Sequence, residues 1–156
     1  KAVRSNVGVF DVSHMGEIII RGKEALNLVQ HLTVNNAARL EVGKVQYSAM
    51  CNDKGGIIDD LLIYRMDQNE YILVVNGANI EKDFNWMVQN NQFDAEVIDQ
   101  SDDYSLLAIQ GPKSHNVVEK LFDKKIDIDY YSFTISELFG IEIIVSLTGY
   151  TGETGY

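Results

Sequence analysis

Proline is almost missing from this sequence: Pro112 is the only one among 156 residues. That excludes proline-rich linkers and extended polyproline segments. Cysteine is as scarce. The single Cys51 rules out an internal disulfide and fits a reducing compartment. In "YSAMCN" it reads as a small buried apolar residue. The histidines His14, His31 and His115 are dispersed, and no H-x-x-x-H or C-x-x-C spacing occurs, so no metal site is expected. No apolar run approaches the roughly 18 residues of a membrane span, and no secretory leader is visible. Cations are outnumbered, with 13 Lys and Arg against 23 Asp and Glu, a formal net charge of −10. Phosphate-backbone binding needs clustered basic residues, so nucleic acid is not an expected partner, and the same balance disfavours an anionic membrane surface. The opening "KAVRSNVGVFD" reads as mid-chain and "GYTGETGY" stops without a tail, so the chain is expected to be a fragment.

What is present is ordinary for a globular chain: 46% hydrophobic residues, enough for a substantial core. "GEIIIRG" reads as a strand bounded by glycines, and "KEALNLVQHLT" as a helix with Leu26, Val29 and Leu32 on its apolar stripe. "KVQYSAMCN", "IIDDLLIYRM" and "YILVVN" are strands joined by the turn signals "DKGG" and "DQNE", an antiparallel meander. "ANIEKDFNWMVQNN" is a helix with a stripe of Ile80, Phe84, Met87 and Val88. "AEVID" and "YSLLAIQG" are short strands. Pro112 suits the first turn of a helix over "PKSHNVVEKLF" that buries Val117, Val118 and Leu121. "YYSFTISELFG" and "IEIIVSLTG" make a closing hairpin. The predicted class is α+β, antiparallel sheets with packed helices.

Two adjacent acids, Asp59 and Asp60, interrupt the apolar run "GGIIDDLLIY". Strand alternation puts Ile58, Asp60, Leu62 and Tyr64 on one face and Ile57, Asp59, Leu61 and Ile63 on the other. The acids are therefore not a same-face pair. Each needs a hydrogen-bonding partner, a cation or an opening to solvent, because an unpaired buried carboxylate costs several kcal/mol. Asp59 reads as a satisfied structural acid. Asp60 shares its face with Tyr64, with Tyr47 across the hairpin. Aromatics beside a carboxylate can receive a flat, amine-bearing ligand, and they are equally at home in a core. Periodicity leaves both readings open.

"FDVSHMGE" gathers Asp11, Ser13 and His14, but a hydrolytic triad needs an exposed, strained nucleophile and oxyanion donors, and no G-x-S-x-G elbow is present. Ser13 and His14 read as turn residues. The Gly-rich "GYTGETGY" and "NDKGG" lack the spacing of a phosphate loop. Asn76, between "ILVV" and a helix, suits either a helix cap or a ligand contact.

The segments "VGVFDVSHMGE", "YSAMCNDKGGIIDDLLIY", "VVNGANIEKDFNW", "AIQGP" and "TGYTGETGY" occur in order along the whole chain. Together they resemble the folate-binding aminomethyltransferase family, in its T-protein branch from the glycine cleavage system. The resemblance implies transfer of a one-carbon unit from an aminomethyl group on the lipoyl arm of H-protein to tetrahydrofolate, with release of ammonia. It implies duplicated ferredoxin-like halves in the N-terminal region. It implies a catalytic role for Asp60 and a folate or lipoyl-arm site lined by Met15, Tyr47, Tyr64, Asn76 and Tyr150, of which Met15, Tyr47 and Tyr64 are equally explained as wall residues. Residues 1–156 are then a partial folate-binding domain without its N-terminal lead-in and C-terminal barrel, inactive alone. A non-catalytic folate-binding module is the alternative. Many relatives carry Arg where Leu147 stands, which weakens an anion or partner contact there. The expected location is cytoplasmic for a bacterial chain and the mitochondrial matrix for a eukaryotic one.

Overall fold

A computed structural model describes residues 1–156. In chain order the elements are α1 (Ala2–Ser5), β1 (Gly8–Asp11), β2 (Gly16–Arg21), α2 (Ala25–Leu32), β3 (Val45–Cys51), β4 (Ile57–Asp67), β5 (Glu70–Val75), α3 (Ile80–Gln89), β6 (Glu96–Asp99), β7 (Leu107–Gln110), α4 (Ser114–Phe122), β8 (Phe133–Leu138) and β9 (Ile141–Ser146). The chain divides into two units, Ser13–Ser105 and Lys1–Val12 with Leu106–Tyr156. The architecture is α+β with antiparallel sheets. No helix is long and apolar enough to cross a membrane.

The unit Ser13–Ser105 holds a five-stranded sheet in the order β3-β4-β5-β2-β6, antiparallel at every junction. Without β3, the strand order and the positions of α2 and α3 are those of a ferredoxin-like fold; β3 adds an edge strand through the "DKGG" turn. That turn is closed by Asn52, whose backbone N–H donates to Gly56 O at 2.8 Å and whose Oδ1 accepts from the N–H groups of Lys54 and Gly56.

One face of this sheet carries the core. Ile18 and Ile20, Leu61 and Ile63, Leu73 and Val75 are buried against both helices. In α2 the buried positions are Ala25, Leu28, Val29 and Leu32, spaced i, i+3, i+4 and i+7. Leu28 thus occupies the centre of the stripe, and Leu26 packs at its margin. In α3, Ile80 and Phe84 are partly buried and Met87 fully, but Val88 is 46% exposed. The position completing that stripe is Asp83, which is 0% exposed. The helical period selects residues 80, 83, 84 and 87, and Val88 lies a further ~100° round the axis from Met87.

In the other unit, β1 pairs with β7 and β8 with β9. The order strand, helix, hairpin (β7, α4, β8, β9) repeats the beginning of the ferredoxin-like arrangement. Val118, Ile126 and Val145 form its small core with Ile109, Phe122 and Tyr156 at the margin. Two expectations for α4 are corrected. Pro112 lies two residues before the helix, in the preceding turn, and Leu121 is exposed rather than buried. Cys51 is half-buried, and the fully buried residue beside it is Met50.

At the centre of the Gly-rich "TGYTGETGY" segment is the buried side chain of Gln110. Its Nε2 donates to Thr148 O and Tyr156 O, and its Oε1 accepts from Thr151 Oγ1 at 2.9 Å. The loop lies so close to this amide that a Cβ at Gly149 would collide with it. The glycine there is a matter of close approach, not of phosphate binding.

Candidate functional site

The sheet face opposite the core is assembled by register. β3, β4, β5 and β2 align Tyr47, Leu62, Val74 and Glu17 in one row, and Val45, Tyr64, Ile72 and Ile19 in the next. Ala49 opposes Asp60 in the row beyond, and the same register continued one residue past the β5–β2 ladder brings Asn76 and Met15 alongside. Five of the six candidate residues therefore belong to one end and one face of one sheet. Leu62, Tyr64, Ile72, Val74 and Ile19 are all buried on this face, an apolar floor. Tyr150 lies in the other unit, 72% exposed in the loop around Gln110. Ser13 and His14 fall in the turn before β2.

Asp60 is half-buried and held from two sides. The Tyr47 hydroxyl donates to Oδ2 at 2.7 Å. The Asn76 Nδ2 donates to Asp60 O at 3.1 Å and to Oδ1 at 3.3 Å. The same Nδ2 also donates to Asp59 Oδ1 at 2.9 Å. Alternation does separate the two acids, yet one amide standing just past the end of β5 reaches both. Asn76 makes no side-chain cap to the short 3-10 turn it precedes, so the capping alternative does not describe it. Its position is tight: a Cβ on the neighbouring Gly77 would strike the His14 carbonyl, so glycine lets the segment after β5 pack against the turn that carries Met15.

Asp59 is a structural acid of an unusual kind. It is 8% exposed, and its partners include a second buried acid, Asp83. Burial raises the Asp59 carboxyl, but hydrogen bonds with Asp83, Asn79, Asn76 and the Asp60 backbone outweigh it and hold the group below its ordinary value. Asp83 moves the other way, pushed up to about 7 by burial first and then by its hydrogen bond to, and the charge of, Asp59. Lys82 Nζ stands 3.7 Å from Asp83 Oδ1, but its hydrogen bond goes to Ile58 O at 2.7 Å. That carbonyl lies at the register shift between β3 and β4, where a bulge disrupts the ladder.

Glu17 is the third buried acid, 4% exposed on the same face as Asp60 and pushed up to about 7 by burial and then by the charge of Asp99. Sequence reasoning missed both Glu17 and Asp83. The available signals were an acid alternating with Ile19 in "GEIII", and an acid at the i+3 position of the stripe beginning at Ile80.

Chemically, the face offers a fixed, half-buried carboxylate, Asp60, beside the exposed ring of Tyr47. It suits a ligand bearing an amine, whose positive charge a carboxylate stabilises.

The GCVT N-terminal domain family matches residues 1–156. The chain is 52% identical over 157 residues to the aminomethyltransferase of Halothermothrix orenii, covering 100% of the chain and 44% of that relative. It is 50% identical over 156 residues to the aminomethyltransferase of Flavobacterium psychrophilum, covering 99% of the chain and 43% of the relative. Among solved structures, the crystal structure of glycine cleavage system aminomethyltransferase T from Bartonella henselae superposes with a TM-score of 0.88 at 29% identity, covering 98% of this chain and 41% of that one. The chain thus spans less than half the length of these relatives.

Proposed function

The chain belongs to the GCVT N-terminal domain family, and from that premise we propose that it is part of an aminomethyltransferase of the glycine cleavage system. The whole protein transfers the one-carbon unit from the aminomethyl-lipoyl arm of H-protein to tetrahydrofolate and releases ammonia. Residues 1–156 are part of its folate-binding domain, in keeping with the 44% and 43% of these two relatives' length that the chain covers. These relatives are bacterial, so we place the reaction in the cytoplasm.

Asp60 is the catalytic residue in this reading. The observation that carries it is the double anchoring of its carboxylate, by Tyr47 at Oδ2 and Asn76 at Oδ1, on a sheet face with an apolar floor. Anchoring by two neutral donors orients the carboxylate before ligand arrives, so no reorganisation is needed when positive charge develops on a reacting amine. The same carboxylate is placed to accept a proton from that amine. Met15, Tyr47, Tyr64 and Asn76 surround the folate ring or lipoyl arm in this reading; for Tyr150 a ligand contact rests on the family resemblance alone. Tetrahydrofolate fits the residues present: a flat heterocycle for the exposed Tyr47 ring and amine nitrogens for Asp60.

The test is Asp60→Ala and Asp60→Asn in the full-length protein, assayed with lipoylated H-protein and tetrahydrofolate. Loss of a positioned acid–base group lowers kcat by about 10² to 10⁴. Normal transfer by either variant overturns the catalytic role. Tetrahydrofolate binding by a wild-type protein that shows no transfer would favour a non-catalytic binding module.

A further inference from the structure

A carboxyl pair beneath the Asp60 face has no part in the reading above. Asp83 is 0% exposed on the core side of α3 and hydrogen-bonds Asp59 on β4. If both groups were ionised, Asp59 Oδ2 and both oxygens of Asp83 would be buried without a hydrogen-bond donor. Lys82 does not repair this, because its ammonium is bonded to Ile58 O. Buried polar groups are almost always satisfied. One proton on Asp83 satisfies two of these three oxygens: its O–H donates to Asp59 Oδ2, which leaves Asp59 Oδ1 to accept from Asn76, and the remaining Asp83 oxygen is then a neutral carbonyl, far cheaper to bury than a carboxylate.

The connectivity then runs in one direction. Asp83 and, beside it, Asn79 hydrogen-bond Asp59; Asn76 Nδ2 donates to Asp59 Oδ1 and to Asp60 Oδ1 and O; Tyr47 donates to Asp60 Oδ2. Asn76 has two amide hydrogens for these three acceptors, so its rotamer depends on where Asp59 Oδ1 sits. We propose that Asp83 is a positioning residue: protonated, it fixes Asp59 so that Asn76 is held in the orientation that anchors Asp60. Ionising Asp83 sets two carboxylates side by side, with Lys82 as the nearby cation and Asp60 as the next acid. Their repulsion withdraws Asp59 from its place and loosens the Asn76 bond to Asp60. The elevated titration of Asp83, with a midpoint about 7, sets the pH at which this occurs. The step from position to rate rests on the proposed transfer reaction; the step from proton to position does not.

The experiment uses the full-length protein with ¹³C-labelled aspartate carboxyls and ¹⁵N-labelled asparagine. The Asp83 carboxyl is expected to titrate near neutrality, and the Asn76 side-chain amide signals are expected to move along the same curve. In Asp83→Asn, which keeps a donor and abolishes the charge, the Asn76 signals stay still over that range. An Asp83 carboxyl that titrates in the ordinary aspartate range, or Asn76 signals that ignore it, overturns the proposal whether or not the protein transfers aminomethyl groups. In the transfer assay kcat is expected to fall as pH rises through the Asp83 titration, and this alkaline limb is expected to vanish in Asp83→Asn, with kcat at pH about 6 retained. Asp83→Leu, which cannot donate, is expected to lower kcat by about 10²-fold, the scale of a misplaced reacting group, with KM nearly unchanged. A limb that persists in Asp83→Asn removes the positioning role. Activity absent in the wild type refutes the transfer reading alone, and the NMR titration still decides the pair.

Discussion

The Tyr47 hydroxyl donates to Asp60 Oδ2 at 2.7 Å although the two residues are not direct partners in the ladder. Tyr47 opposes Leu62, and Asp60 opposes Ala49. The bond is diagonal, between side chains two positions out of register on the same face, a separation an aromatic side chain spans. Tyr47→Phe removes this donor and leaves the ring. Tyr47 is 48% exposed, so the melting temperature should stay close to that of the wild type. Losing a hydrogen bond to a charged group costs about 2 kcal/mol, a fall in kcat of roughly thirtyfold. Steady-state kinetics and a thermal melt on the full-length protein check both halves.

Acid–base linkage gives a second expectation. Asp83 and Glu17 have folded-state values raised to about 7 from ordinary values of 3.8 and 4.5. Between those limits the folded state holds protons that the unfolded state has released. Stability must therefore fall as pH rises from about 4 to about 7 through these two groups. Asp59, whose value is lowered, acts oppositely: its contribution is present above its unfolded value and is lost as pH falls through the folded one. Urea denaturation across this range should show a flatter dependence in Asp83→Asn than in the wild type, and flatter again with Glu17→Gln added. An unchanged slope would mean that neither group carries the proton assigned to it.

The helix stripe of α2 separates two leucines. Leu28 is fully buried at its centre, while Leu26 packs at the margin of the core. Leu28→Ala should cost about 2–5 kcal/mol, the transfer term plus the cavity left behind. Leu26→Ala should cost distinctly less. Equal losses in a denaturant titration would contradict the packing described.

Gln110 offers a local test. Gln110→Ala deletes three hydrogen bonds that tie Thr148, Thr151 and Tyr156 together, and strands their partners at a cost of about 1–3 kcal/mol. Hydrogen exchange should accelerate across residues 148–156 and leave the sheet of Ser13–Ser105 unaffected. Exchange that rises uniformly would show that Gln110 supports global stability instead of this loop.

Strand alternation by itself determined that Asp59 and Asp60 point to opposite faces, because a period of two leaves no other arrangement for neighbours in an extended chain. Turn chemistry and apolar spacing likewise determined the hairpins and helices and the α+β class. The motifs in order carried the family, since they are words of sequence. Tertiary structure alone decided what the acids touch. Asn76 stands 17 residues from Asp59 and meets it only because β4 and β5 pair in one particular register. Asp83 could be placed on a helix face by period, but its burial, and the acid waiting opposite it, depend on how α3 lies across the sheet. Periodicity specifies the direction of a side chain relative to its own element; the identity of its partner depends on packing between elements distant in sequence, and that packing makes two separated acids part of one hydrogen-bonded chain.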